Sequence, residues 1–241
     1  MRNREIVWLP DEDKAYIRSL ILDEDEEMLV FNKPDGLACQ TRNAEDRTLD
    51  KLLWTFAKSN GKRPRLVHRI DQDTTGIVIA AKTQPAAAAL SKAFEDRAMK
   101  KTYLAVVSGD ASRVTRVESP IGTVRLPEGA LIAGVGGQKG VKDTKAAVTR
   151  FNCVSTDGKT SLIECRPETG RMHQIRVHLA HAGHPILGDT IYGDGGDAPR
   201  LMLHALRLQG PHPLGGQFDY SAPVPEDFER SAASAASSSS D

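Results

Sequence analysis

Residues 76–83, GIVIAAKT, narrow the possible folds most: a short apolar run rich in β-branched residues, the pattern of a strand buried within a sheet. It leads directly into QPAAAALSKAFEDRA (84–98), where Pro85 stands near the first turn of a run of strong helix formers, so a helix is expected. MLVFNKPDG (28–36) predicts a strand ending in a Pro-Asp-Gly turn. TLDKLLWTFAKSNG (48–61) predicts a helix, with Leu49, Leu52, Leu53 and Phe56 on one face, Thr48 as N-cap and Gly61 past the end. KTYLAVVSG (101–109) is a further strand pattern, and AAVTRFNCVS (146–155) and TSLIECRPE (160–168) form a hairpin signal around Thr-Asp-Gly. RMHQIRVHLAHAGHP (171–185) has helical spacing through Ile175, Leu179 and Ala182 and stops at Gly183; LMLHALRL (201–208) alternates as a final strand. Residues 119–145 are Gly-rich and predict an irregular hairpin or mobile loop. Strands, helices and hairpins interleave without a βαβ rhythm or a repeat, so the expected class is mixed α+β.

The expected organisation is an acidic N-terminal arm over 1–27, a domain over 28–225, and a disordered Ser/Ala-rich tail over 226–241. No stretch approaches the roughly 18 apolar residues of a membrane span, and the N-terminus lacks the apolar region of a secretory signal. Cys39, Cys153 and Cys165 are odd in number and widely spaced, which suits reduced thiols in a cytoplasmic protein better than a disulfide framework or a thiolate metal site. The formal charge is zero, but its distribution is uneven: residues 28–220 hold 27 Lys/Arg against 19 Asp/Glu. Lys58, Lys62, Arg63, Arg65 and Arg69 crowd together, and Lys92, Arg97, Lys100 and Lys101 follow. Such clusters permit phosphate contacts, although a solvated basic face would look the same.

Two segments carry chemistry. In LVHRIDQDTTGIVIAA (66–81), Asp71 lies beside a turn at a strand edge, where a carboxylate can be held rigidly as nucleophile or proton shuttle. The same pattern also fits an ordinary acidic turn in which Asp73 or Thr74 bonds backbone amides. In ETGRMHQIRVHLAHAGHPILGDTIYG (168–193), Arg171 and Arg176 lie near a helix start with Gln174 and His178 close by. An arginine reaching a carboxylate would keep it ionised. His173, His178, His181 and His184 lack HExxH-type spacing and have no acidic ligand among them, so no metal is expected.

With these residues in view, the chain resembles the RluA-type family of pseudouridine synthases from about Leu29 to Leu208. NKPDGLA (32–38), HRIDQDTTG (68–76), KKTYLAVV (100–107), ETGRMHQIRVHLAHAGHPILGDTIYG and LMLHALRL run in the family's order. The resemblance implies a largely antiparallel central sheet flanked by helices, with a catalytic cleft across its middle. It implies Asp71 as the catalytic aspartate and Arg69 as the arginine that helps hold RNA with its base flipped out. It implies Tyr103 as a catalytic residue whose ring stacks on the uracil and whose role extends to assisting proton removal from the re-bonded base. Arg176 matches the arginine that ion-pairs with the catalytic aspartate, and Ile163 and Leu203 match apolar pocket positions. Lys62, Arg63, Arg65, Lys100, Lys101 and Arg171 are the further candidate RNA contacts. Ile70, Thr75 and Met172 stand where Leu, Ser and Thr are more usual, and none of these removes a reacting group. The N-terminal S4 module of many relatives has no room in 27 residues, so a stand-alone catalytic domain is expected.

The activity implied is isomerisation of uridine to pseudouridine in tRNA, ribosomal RNA or both, by a monomer without cofactor. Breaking N1–C1′ and rejoining the base through C5 oxidises nothing and donates no group. Asp71 could attack C1′, add to the uracil ring, or remove a ribose proton; the sequence leaves the three routes open. The rival readings are an RNA-binding module that has lost catalysis, a hydrolase using the histidines, and a glycosidase using Asp71 with Asp73. The last lacks the facing acid/base pair such enzymes need.

Overall fold

The computed structural model describes residues 7–41, 43, 45–127, 129–195 and 198–234. The chain divides into two units, Met1–Met99 with Arg207–Pro223 and Lys100–Leu206 with Val224–Asp241.

The first unit opens with helix α1 (Asp11–Ser19), whose first turn carries Asp11, Glu12 and Asp13 and whose Ile17 is fully buried. Acidic residues at a helix N-terminus complement the exposed N–H groups there. Strand β1 (Ile21–Glu24) runs antiparallel to β2 (Met28–Lys33). Asp25 closes their turn by accepting the N–H groups of Glu27 and Met28, each at 2.7 Å. Part of the stretch expected as an arm is therefore a helix and an edge strand of this unit. Helix α2 (Leu49–Leu52) starts at Thr48, whose hydroxyl accepts Lys51 N–H, and tightens into a 3₁₀ turn over Leu53–Phe56. The helix expected over 48–61 thus ends early: beyond Phe56 no apolar residue continues the stripe, and Lys58 and Lys62 close a turn instead.

Strand β3 (Arg65–Leu66) pairs with β4 (Thr75–Ala81), which also pairs antiparallel with β2, from Met28 opposite Ala81 to Lys33 opposite Gly76. All seven residues of β4 are buried, as its composition predicted. Helix α3 (Gln84–Glu95) is capped by Thr83, whose hydroxyl accepts Ala86 N–H at 3.2 Å. Its Ala86, Leu90 and Ala93 pack on Met28, Val30, Ile77 and Ile79. Each such large apolar side chain contributes about 1.5–3 kcal/mol on burial.

The second unit begins with β5 (Lys100–Ser108). After β6 (Arg116–Val117), residues 119–145 form three strands, β7 (Ile121–Arg125) between β8 (Leu131–Val135) and β9 (Lys142–Lys145). Of the expected irregular hairpin or mobile loop, the hairpin is what forms, β7 with β8, and β9 adds a third strand that the glycines did not suggest. Ile121, Ala133 and Val135 are buried beside Val177, and that apolar contact repays ordering the segment. The predicted hairpin appears as β10 (Thr149–Thr156) and β11 (Thr160–Pro167), with Asp157 accepting N–H bonds from Lys159 and Thr160 at the turn. The antiparallel order is β5–β11–β10–β6. Helix α4 (Gln174–His181) and β12 (Leu203–Pro211) follow. Strand β12 is not the last: its residues from Arg207 onward pair with β13 (Gln217–Ser221) in the first unit.

Helix α5 (Glu226–Ser234) occupies the start of the stretch expected to be a disordered tail. Phe228, 1% exposed, enters the second unit's core, and Asp227 takes both Nε and Nη2 of Arg200. One aromatic and one ion pair suffice to order these residues; the remainder of the expected tail, 235–241, lies outside the described residues. The class is α+β, with a largely antiparallel sheet flanked by helices.

Candidate active site

Asp71 belongs to the first unit, in the loop that feeds β4. His68 pegs the start of that loop, accepting Ile79 N–H at Nε2 (3.0 Å) and stacking on Phe94 with ring centroids 4.6 Å apart. The carbonyl of Asp71 accepts Thr74 N–H at 3.2 Å, which closes a turn immediately before Thr75 opens the strand. Asp71 itself is half-buried and Asp73 is exposed.

Two residues of the NKPDGLAC segment grip the backbone on either side of Asp71. The fully buried Lys33 donates from Nζ to Gln72 O (2.6 Å) and Pro34 O (2.8 Å). Burial pushes its ammonium down to about 8, against the opposing influence of Cys39, Asp35, Asp73 and Asp71. Cys39, 3% exposed, meets the Ile70 N–H; burial raises its thiol, and that contact pulls the other way. Sequence inspection gave Lys33 no role, because NKPDG signals only a strand and a turn. Its partner Gln72 lies 39 positions away.

Tyr103 and Arg176 belong to the second unit. Tyr103, on β5 opposite Cys165 of β11, is half-buried against the core that contains Ile163 and Leu203, 0% and 3% exposed. Arg176 is 3% exposed on α4. It meets Asp189 side-on, Nε to Oδ2 and Nη2 to Oδ1, both at 2.8 Å. Burial would raise the Asp189 carboxyl, but the hydrogen bonds and charge of Arg176, with the N–H groups of Tyr192 and Ile191, hold it below the usual carboxylate range. Asp189 sits inside the GDTIYG motif yet had no assigned role. A partner thirteen residues away in a loop leaves no periodic signal.

Gln174 organises the start of α4. Its Oε1 accepts Thr169 Oγ1 (2.6 Å) and Arg171 N–H (3.1 Å), while Nε2 donates to Val148 O and Thr149 Oγ1. The histidines of this segment serve separate structural ends. His178 bridges Thr149 Oγ1 and Ser119 O, His173 meets the Tyr192 hydroxyl, and His184 meets Ser108 O. Among the described residues no three His, Cys, Asp or Glu side chains are grouped to hold a metal ion.

The candidate RNA-contact residues differ in availability. Lys62, Arg65, Arg69 and Lys100 are exposed. Arg63 is committed to Asp50 through both Nη atoms (3.1 and 2.7 Å), with its guanidinium 5.2 Å from the Trp54 ring centre. Lys101 Nζ donates to Thr169 O and Arg171 Nε to Ala146 O, each at 3.1 Å.

Comparison with known proteins bears on what this arrangement serves. Residues 27–181 match the family model described as RNA pseudouridylate synthase, a span that includes Asp71, Tyr103 and Arg176. "Ribosomal large subunit pseudouridine synthase D" of Zymomonas mobilis is 37% identical over 87% of this chain and 70% of its own length. "Ribosomal large subunit pseudouridine synthase C" of Escherichia coli is 36% identical over 90% of this chain and 70% of its own length. The solved structure of human RNA Pseudouridylate Synthase Domain Containing 4 superposes with a TM-score of 0.73 at 25% identity, covering 92% of this chain and 96% of the human one. Sequence match and fold agree over most of the chain, which places it in the RNA pseudouridylate synthase family.

Proposed function

We propose that this chain isomerises specific uridines of structured RNA, large-subunit ribosomal RNA first among them, to pseudouridine, with Asp71 as the catalytic carboxylate. Uridine isomerisation in RNA is the activity of the family. The observation that carries the assignment is a family match spanning Asp71, Tyr103 and Arg176 together. Ribosomal RNA is favoured over tRNA because the named relatives from Zymomonas and Escherichia are large-subunit ribosomal synthases.

In this reading the target base leaves its stack, at a cost of a few kcal/mol. The Tyr103 ring offers a stacking face worth about 1–3 kcal/mol per base. Exposed Lys62, Arg65, Arg69 and Lys100 contact phosphates and offset the cost of extrusion. Asp71 supplies the reacting carboxylate as nucleophile or proton shuttle, and Arg176 is its proposed guanidinium partner. The turn closed by Thr74 and the grip of Lys33 on Gln72 hold the backbone beneath Asp71 while N1–C1′ breaks and C5–C1′ forms. The chain works as a cytoplasmic monomer; among the described residues no helix is long and apolar enough to cross a membrane.

The test is tritium release from [5-³H]uridine-labelled transcripts of large-subunit ribosomal RNA and of tRNA. Release from the ribosomal transcript supports the full reading. Release from tRNA alone overturns the substrate assignment, and release from neither overturns the activity.

A further inference from the structure

The pair of Arg176 and Asp189 is enclosed, with side chains 4% and 0% exposed. Asp189 and Tyr192 both restrict the guanidinium. Asp189 Oδ2 takes Arg176 Nε, and Oδ1 takes Nη2 together with the N–H groups of Ile191 (3.0 Å) and Tyr192 (3.1 Å). The carboxylate is thus fixed by its own loop before it meets the arginine. Side-on pairing through Nε and Nη2 sets the plane of the fork, and Nη1 is not part of the pair. The Tyr192 ring supports that plane from its face, 5.2 Å from the guanidinium carbon. The ring is itself anchored, its hydroxyl accepting Ala133 N–H (2.9 Å) and meeting His173 Nδ1 (2.8 Å).

A buried ion pair gains little net stability over apolar packing of equal volume, because desolvation offsets its attraction. What such a pair supplies is orientation. A long side chain with many rotamers is held in one geometry before any substrate arrives. We propose that Asp189 is a positioning residue that acts on catalysis through Arg176, with the Tyr192 ring as the second support. This rests on the reading that Arg176 serves the catalytic carboxylate.

The test is a kinetic cycle on the full chain, with an RNA that the wild type modifies, using Asp189→Asn, Arg176→Lys and the double variant. Lys keeps the charge but has no fork to orient. Asp189→Asn is expected to lower kcat by about a hundredfold with KM within about threefold, the scale on which supporting contacts and small misplacements act. Added to Arg176→Lys, it should cost less than about twofold more, because residues acting through one another are not additive. An unchanged kcat for folded Asp189→Asn, or the same loss in both backgrounds, overturns the proposal and leaves the pair purely structural. A silent Arg176→Lys is a different result: it removes the role assigned to Arg176, and the proposal falls with it. Should Asp189→Asn fail to fold, Tyr192→Leu decides. A kcat loss of about tenfold in the wild type and none in Arg176→Lys supports the proposal, while equal losses, or none, overturn it.

Discussion

At the scale of single residues, the candidate site is supported by a buried cation that takes no part in the proposed chemistry. Lys33 donates to carbonyls on two loops, and its ammonium falls from 10.5 to about 8. Between those values the unfolded chain holds a proton that the folded chain does not, so stability attributable to Lys33 rises with pH across that window. Urea unfolding of the wild type and of Lys33→Met from pH 7.5 to 10.5 should show the wild type gaining on the variant by up to about 3 kcal/mol. A constant difference would contradict the account. Tyr103→Phe keeps the ring and should retain turnover within about tenfold of wild type, checked by tritium release; complete inactivity would assign the hydroxyl an essential proton transfer. The candidate groups Asp71, Tyr103 and Arg176 were singled out because each sits in a motif quoted from the sequence. Lys33 and Asp189 were not, since their roles exist only through partners 39 and 13 positions away.

At the scale of elements, legibility followed local signals. Helix α3 announced itself through Pro85 and a run of strong helix formers, and the β10–β11 hairpin through the Thr-Asp-Gly turn at Asp157 and Gly158. Between 121 and 145 the glycines suggested no more than an irregular hairpin or a loop, so the regular three-stranded pairing was hidden. In fact Gly122 permits close packing: a Cβ there would lie 2.1 Å from Lys142 O. The first turn of α5 was masked by the Ser/Ala composition that follows it. Thr83 both caps α3 and bonds the Glu27 carboxylate, so Thr83→Ala should cost about 1 kcal/mol in urea unfolding. Gly188 has φ +76°, and a Cβ there would stand 1.8 Å from Arg200 O. Gly188→Ala should therefore destabilise by more than about 3 kcal/mol; a near-neutral result would show that the loop before Asp189 yields easily.

At the scale of the whole chain, zero net charge conceals a region, 28–220, with eight more basic than acidic residues. RNA affinity should fall steeply with salt, each neutralised phosphate adding about 0.7 to the logarithmic slope for single strands. Replacing exposed Lys62, Arg65 or Arg69 by Ala should weaken binding and flatten that slope by a little under one unit each. Arg63→Ala, losing its pair with Asp50 and its contact with Trp54, should lower stability with little change in slope. Filter binding across a salt series separates the two behaviours. The charge asymmetry was readable from the sequence, but which cations are already committed to internal partners was not.

The central claim is that the carboxylate of Asp71 performs the isomerisation. Pseudouridine formation should be followed by carbodiimide modification and primer extension on RNA treated with wild type and with Asp71→Asn at matched RNA occupancy. The account predicts carbodiimide stops at defined uridines with the wild type and none with the variant, while folding and RNA affinity stay close to wild type. Stops of comparable intensity from Asp71→Asn would contradict it.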